Sequence, residues 1–473
     1  MKYACILLSF LLILSFNSGS AQVCFEKTFG NLDDDYGNAI HTTFQGGYII
    51  CGYTTNLITS EQDLYVIMVD QNGDSLWTKS MAFSSLDMRP YVEETFDSGF
   101  VIAGKMFNVS SLIKFDRNGD TLWSKRYPTE AEFESLFGVI QTPDSGFILS
   151  GTQQGTSFWD ISAVLIKTDR YGEFKWRKTF GHSGYCTGRR VEIASDNGFV
   201  ICGGYDPPGE NSDAWIVKTN DQGIHNWDRE IGGNNTLESL FDVKRTPDSG
   251  YILCGGYYPG LLILSGDMYL VKTNINGIVQ WTKQIGWENN DSGNSVDVTP
   301  DGGFIACGST NGFPETDENL FLVRTNANGD TLWTRSFGGP YQDAGTSVLC
   351  TSDGGFIVTG ITRSFGCGGS EVYLIKTNEN GVITSDFLKK DFPVMIFPNP
   401  NDGLFRIKSG QHISRVELMD SRGIMILKKQ NIAGNEEIID IRNFSEGIYI
   451  LKLYTESGFI IKKILVEKTR DHR

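Results

Sequence analysis

Apolar residues along this chain come in short runs broken by Gly, Asn, Asp and Pro, a pattern of many strands and turns that argues against a helical bundle or coiled coil. One element recurs: a Gly, then an aromatic residue, then an aliphatic run. It stands at Gly47-Tyr48, Gly99-Phe100, Gly146-Phe147, Gly198-Phe199, Gly250-Tyr251, Gly303-Phe304 and Gly355-Phe356, at intervals of 52, 47, 52, 52, 53 and 52 residues. A second marker keeps step with it, a Gly followed four residues later by Trp77, Trp123, Trp176, Trp227, Trp281 or Trp333. Two markers in one register define seven copies of a structural repeat.

Each copy divides into four apolar stretches. In the sixth they are Ser295 to Thr299, Gly303 to Ser309, Leu320 to Asn326 and Thr331 to Phe337. Pro300-Asp301-Gly302-Gly303 turns the first pair and Asn328-Gly329 turns the last, both strong hairpin signals. The pattern predicts an all-β protein, a seven-bladed β-propeller of four-stranded blades with a small β-sandwich behind it. The seventh copy lacks a fourth strand after Gly381, whereas residues 24–30 fit that pattern with Phe25 in the Trp position. The first and last segments are therefore expected to share one blade, which removes an open sheet edge.

The repeating Trp, as in Asn274-Ile275-Asn276-Gly277-Ile278-Val279-Gln280-Trp281, resembles the tryptophan-docking repeat of quinoprotein dehydrogenase propellers. The resemblance implies that each Trp packs between neighbouring blades. It covers the repeat unit alone and brings no cofactor with it, since the adjacent cysteine pair of many quinoproteins is missing.

Three segments flank or follow the repeats. Lys2, the apolar run Ala4 to Phe16 and Gly19-Ser20-Ala21 read as a secretory signal peptide over residues 1–21, the run being too short for a membrane span. No later segment offers a transmembrane stretch, and Ala21-Gln22-Val23 before Cys24 lacks the small residue expected ahead of a lipidated cysteine. The propeller is assigned to residues 22–388, a linker to 389–391 and a second domain to 392–473. Residues 391–473 carry 13 basic and 11 acidic side chains, a local +2, so the rest of the chain holds −18 of its net −16. An acidic surface of that kind excludes a nucleic-acid partner.

The C-terminal segment resembles the type A sorting domain of type IX secretion cargo. The residues that carry this are Phe397-Pro398-Asn399-Pro400 with Gly403 and Phe405, Val416 to Gly423, Phe444 to Leu453 with Gly447 and Tyr449, and Lys462-Lys463-Ile464-Leu465-Val466. The resemblance implies a Bacteroidetes-type bacterium, export through the periplasm and outer membrane, the type IX secretion machinery as partner, and a secreted or cell-surface location.

Candidate chemistry is sparse. Cys51, Cys202, Cys254 and Cys307 hold one register position on separate blades, too far apart for disulfides, which leaves Cys24, Cys186, Cys350 and Cys367 as the candidate partners and at most two bridges. Asp70 to Asp74 and Asp116 to Asp120 look like calcium loops, but Asn220 and Asn274 stand at the same place in other copies, so hairpin geometry is the better explanation. The five histidines show no metal or catalytic spacing, and no linear enzyme motif is present. No catalytic, cofactor or metal residue is assigned. The loops between second and third strands carry Trp159, Tyr205, Tyr257, Tyr258 and Phe313, and the connecting loops add Asp87, Glu134, Glu238, Asp291 and Asp343. They are expected to form an acidic, aromatic rim at the channel mouth that engages an extracellular glycan, peptide or protein. The function expected is that of an exported binding protein, an enzyme being the less favoured reading. The alternative is a propeller glycoside hydrolase or lyase acting on polysaccharide, with acids that meet only in space.

Overall fold

The computed structural model describes residues 22–383 and 394–468, apart from 32, 57–58, 83–88, 108, 156–159, 183, 208–210, 234, 261–264, 288, 312–317, 367–368, 411, 421–424, 431, 433 and 456–457. The expected signal peptide, the linker, Asp87, Trp159, Phe313, Cys367 and Gly423 lie outside the described residues. The chain divides into two compact units, Met1–Ile383 and Thr384–Arg473.

All named elements of the first unit are β-strands, arranged as four-stranded antiparallel meanders. Asp291–Val298, Phe304–Thr310, Asn319–Thr325 and Thr331–Phe337 form one such sheet, so the predicted boundaries hold within a residue or two except that the innermost strand begins earlier, at Asp291. The same order recurs in sheets that begin with Asp34–Thr42, Tyr91–Glu94 and Thr236–Arg245. Two further meanders, beginning with Phe133–Gln141 and Gly184–Ile193, are joined by the short parallel pairing of Asp160 with Gly184 and Ile161 with Tyr185. In the remaining sheet Phe25–Phe29 pairs antiparallel with Glu371–Thr377, as expected for a closing strand. Each sheet packs on the next in chain order, and the last packs back on the first through Val372, Leu374 and Ile40, giving a propeller.

This packing explains the apolar runs. The second and third strands of a meander meet a neighbouring sheet on both faces, so Phe304–Thr310 and Asn319–Thr325 are buried at every position. The outermost strand has one face in solvent and Val279–Ile285 alternates accordingly.

The Trp residues of these outer strands dock on the next sheet, as the repeat resemblance implies. A Cβ added to Gly277, which holds φ +72°, would lie 2.5 Å from Trp227 Cζ3. Trp77, Trp123, Trp176, Trp281 and Trp333 stand in the same relation to Gly119, Gly172, Gly223, Gly329 and Gly381, and Phe25 covers Gly73. Phe25 therefore takes the Trp place in the closing sheet.

A second tie repeats inside the sheets. A buried cation on the third strand meets the Asp of the turn between the first two strands: Lys114 with Asp97 at 2.9 Å, Lys167 with Asp144 at 3.0 Å, Lys218 with Asp196 and Lys272 with Asp248 at 2.9 Å, Arg324 with Asp301 at 2.6 Å, and Lys376 with Asp353. In the first repeat Met68 replaces the cation and Gln45 the acid. Loss of both together avoids the several kcal/mol, roughly 3–5, that an unpaired buried charge costs.

The second unit holds two sheets. Val394–Phe397, Leu404–Ser409 and Glu436–Asp440 form one; Met425–Gln430, Ile413–Asp420, Gly447–Thr455 and Gly458–Val466 form the other. Phe405, Ile407 and Ile439 from the first meet Val416, Leu418, Leu451, Leu453 and Ile464 from the second.

Candidate functional site

The innermost strands build the site through a repeated irregularity. Their pairing slips between Gly37 and Ala39, Leu136 and Gly138, Gly188 and Val191, Leu240 and Asp242, Gly293 and Ser295, and Gly345 and Ser347. The residues skipped are Asn38, Phe137, Arg189 with Arg190, Phe241, Asn294 and Thr346. A bulge re-aims the extra side chain out of the ladder. All of these side chains line one cavity of about 480 Å³, completed by Tyr36, Tyr53, Gln62, Arg89 and Pro90.

The lining is basic and aromatic, and no carboxylate is among the described residues that form it. Tyr36 and Tyr53 stack with centroids 4.5 Å apart and 19° between planes. The Arg190 guanidinium lies 3.7 Å from the Tyr91 ring centroid and donates to the Phe137 carbonyl, while Arg189 lies over Phe137 at 4.8 Å and Phe241 at 5.7 Å. Arginines stacked on rings keep donors presented to the cavity.

Beyond the bulges, one register position of each innermost strand is half-buried and variable. It holds His41, Glu93, Ile140, Glu192, Lys244, Asp297 and Leu349, each paired with the equivalent residue of the second strand, from Ile49 to Ile357. The residue before it is a buried aliphatic in every case, such as Val243 or Val296. This belt of titratable groups is electrostatically linked. His41 Nε2 lies 3.5 Å from Glu93 Oε2. Burial pushes the Glu192 carboxyl up to about 7, against a smaller downward pull from Lys244. Burial raises Glu93 as well, opposed by His41 and Lys244. For Lys244 burial acts downward, but Tyr91, Asp242, Asp297 and Glu192 outweigh it and hold the ammonium well above its usual range.

The rim expected from sequence is placed differently. Asp291 and Asp343 are fully buried, and Glu134 and Glu238 are 3 % exposed. Asp291 Oδ2 accepts the Trp287 N–H at 2.6 Å and Asp343 Oδ2 the Gly339 N–H at 2.8 Å, so these acids tie down the connecting loops; Asp35 does the same for Asn31 at 2.9 Å. Glu134 pairs with Arg177 at 3.1 Å. The acidic rim is thereby corrected: these carboxylates satisfy backbone donors and a guanidinium inside the protein. Tyr205 is corrected too. It is 8 % exposed and packs against His182 with centroids 5.5 Å apart, which makes it a core residue. Tyr257 is half-buried against Tyr269 at 5.8 Å, and the Tyr258 ring packs over Gly256 and Gly266.

The calcium-like hairpins are turn caps. Asp70 Oδ1 accepts the N–H groups of Asn72 and Asp74 at 2.8 and 2.9 Å, and Asn274 Oδ1 does the same for Asn276 and Ile278 at 2.9 and 3.0 Å. Cys51, Cys186, Cys202, Cys254, Cys307 and Cys350 are free thiols. Cys254 lies against Gly293 of the following sheet, where only a small side chain fits.

The sorting motifs come together at one edge of the second unit. Asn399 donates to the Lys463 carbonyl at 3.0 Å and accepts the Leu465 N–H at 2.9 Å. Asn401 continues the pairing, its N–H on the Leu465 carbonyl at 3.0 Å and its carbonyl receiving the Glu467 N–H at 2.8 Å. Pro398, Pro400, Lys462 and Lys463 stay exposed around this junction. Gly403, at φ +102°, is held by Asn401 Oδ1, and Tyr449 is buried with its hydroxyl on the Ser445 carbonyl at 2.7 Å. Gly447, at φ +148°, begins the strand that carries Tyr449.

Residues 395–467 match the family model described as the secretion system C-terminal sorting domain. No curated protein matches the chain. Among solved structures it is similar to PorZ, a surface component of the type-IX secretion system of Porphyromonas gingivalis, at 12% identity and a TM-score of 0.42 over 89% of this chain and 58% of that one. It is similar to an alpha-L-arabinanase of Penicillium chrysogenum, at 9% identity and 0.42 over 75% and 99%. The β-propeller domain of the Trilobed protease from Pyrococcus furiosus follows at 10% and 0.44 over 74% and 97%. The chain thus spans little more than half of PorZ. It carries the sorting domain of type IX secretion cargo, and the protein is secreted through the outer membrane to the cell surface or the extracellular space.

Proposed function

We propose that this protein of a Bacteroidetes-type bacterium is an exported binding module: a seven-bladed propeller over residues 22–388 that captures a partner at its channel mouth, joined through 389–391 to the sorting domain 392–473. The observation that carries the reading is the bulge-lined cavity with Arg89, Arg189, Arg190 and the Tyr36–Tyr53 stack, a cationic and aromatic pocket in a chain of net charge −16. Stacked rings suit the faces of sugars, and guanidinium groups suit carboxylate or sulfate substituents, so an anionic glycan fits it best. Tyr257 and Tyr258, with Trp159 and Phe313, belong to this reading as secondary contacts on the surrounding loops.

The test is a glycan and peptide array probed with the purified protein, followed by calorimetry and product analysis of each hit. Arg89→Ala and Tyr53→Ala are each expected to weaken binding about tenfold, since one charged hydrogen bond or stacking contact is worth roughly 1–3 kcal/mol. Uncharged hits unaffected by Arg89→Ala would refute the anionic reading. One observation favours the polysaccharide enzyme as a second reading: Glu192 at about 7 has the proton affinity of a general acid, and Glu93 stands in the same belt. Turnover of a hit that Glu192→Gln abolishes would replace binding with catalysis.

A further inference from the structure

The sequence keeps the histidines apart, but folding brings His182 and His225 to the two oxygens of one carboxylate. His182 follows the outermost strand Phe174–Phe180 of one sheet, while Asp228 and Glu230 lie two residues apart on His225–Ile231 of the next. Alternate residues of a strand share a face. His182 Nε2 is 3.0 Å from Asp228 Oδ2, and one oxygen of Glu230 lies within 4.8 Å of both. His225 Nε2 meets the other oxygen, Asp228 Oδ1, at 2.9 Å.

We propose that His182, Asp228 and Glu230 form a binding site for a divalent transition metal, Zn²⁺ being the ion whose chemistry fits. One imidazole nitrogen and two carboxylate oxygens are a donor set for such an ion, which binds nitrogen and oxygen at about 2.0–2.2 Å. Ligand atoms of a tetrahedron that size stand roughly 3.3 Å apart. The His182–Asp228 separation is already close to that, and the open side of His182 and Glu230 leaves the fourth position to water.

The surroundings fix the ligands. The His182 ring stands edge-on to Tyr205 and Trp215, with centroids 5.5 and 6.0 Å away, and both rings are buried. Its backbone N–H donates to Cys186 Sγ at 3.2 Å, which holds the loop. Asp228 is held by His225 and by the Trp215 Nε1–H at 3.3 Å. Partners of this kind behind a ligating carboxylate set its orientation, and their loss weakens metal binding about 10–100-fold. The two carboxylates bring negative charge that a divalent cation offsets.

The experiment is calorimetric titration of untagged, EDTA-treated full-length protein with ZnCl₂, with thermal unfolding recorded with and without the metal. One equivalent is expected to bind saturably and to raise the unfolding temperature. His182→Ala and Glu230→Gln should each abolish that equivalent or weaken it at least tenfold. Glu230 is exposed, so its amide tests the site without threatening the fold. His225→Ala should keep the stoichiometry and lose about tenfold in affinity. An absence of saturable binding, or binding that persists unchanged in both His182→Ala and Glu230→Gln, would show a metal-free hydrogen-bond hub and overturn the proposal.

Discussion

Glu192 gives the channel belt a measurable signature. Its carboxyl has an ordinary value of 4.5 and stands at about 7 in the folded protein, because burial disfavours the charged form more than Lys244 favours it. The folded state therefore holds its proton more tightly than the unfolded chain does. The stability this contributes is fully present below pH 4.5 and is lost as pH rises through about 7. A rise from 4.5 to about 7 corresponds to about 3 kcal/mol. Glu192→Gln removes the ionisation and keeps the oxygen that accepts the Ile193 N–H at 3.1 Å. Wild type and variant should thus be nearly equal in stability at pH 4.5, and the variant should be about 3 kcal/mol more stable at pH 8. Urea unfolding followed by tryptophan fluorescence reads the propeller alone, because all nine Trp lie in the first unit. Taking the difference between the two pH curves cancels the other titrating groups. Lys244→Met, which deletes a cation that lowers Glu192, should deepen the wild-type loss at high pH. Parallel curves for wild type and Glu192→Gln from pH 4.5 to 8 would refute the reasoning.

Two other predictions follow from the packing and the sorting junction. Gly277→Ala should destabilise the propeller by about 2–4 kcal/mol, combining left-handed backbone strain with displacement of Trp227, whereas Gly302→Ala, at φ +81° with open space around it, should cost only about 1 kcal/mol; equal urea midpoints for the two variants would show that Trp docking contributes nothing. Deleting residues 392–473 should leave the propeller in the periplasm, and attaching that segment to an unrelated folded cargo should carry the cargo to the surface; cell fractionation that finds the truncated protein outside would contradict the export role.

The repeat made most of the fold legible. Thr331–Phe337 was readable to the residue, and Phe25 could be placed in a Trp position from the order of residues 24–30 alone. The site was harder, since bulges are invisible until strands are paired, and Arg189, Phe137 and Asn294 look like ordinary strand residues. A usable signal was nevertheless present. Asp35, Asp291 and Asp343 each stand five residues after a Gly, at Gly30, Gly286 and Gly338, and an acid that recurs in register serves the scaffold. The belt shows the converse: just after an invariably aliphatic residue, the position of His41, Glu93, Glu192, Lys244 and Asp297 changes its chemistry from repeat to repeat. The meeting of His182 and His225 leaves no such trace, because they come from different parts of the repeat and meet only across a sheet boundary.

The docking of each aromatic on the following sheet makes the ring a clock as well as a lock. Phe25 covers Gly73, but its strand pairs with Glu371–Thr377, and Glu26 bonds to Tyr373 across 347 residues. A chain made from its N-terminus at about 5–20 residues per second must hold that strand unpaired for roughly 20–70 s. Closing so long a loop costs about 3 kcal/mol more than a ten-residue hairpin, a modest sum beside a full sheet pairing. Residues 25–29, made long before the strand they pair with, are thus among the last to be seated, and until then the nascent propeller exposes two complementary edges. Any factor that accompanies this protein on its way out of the cell has that interval in which to act, and the seating of residues 25–29 ends it.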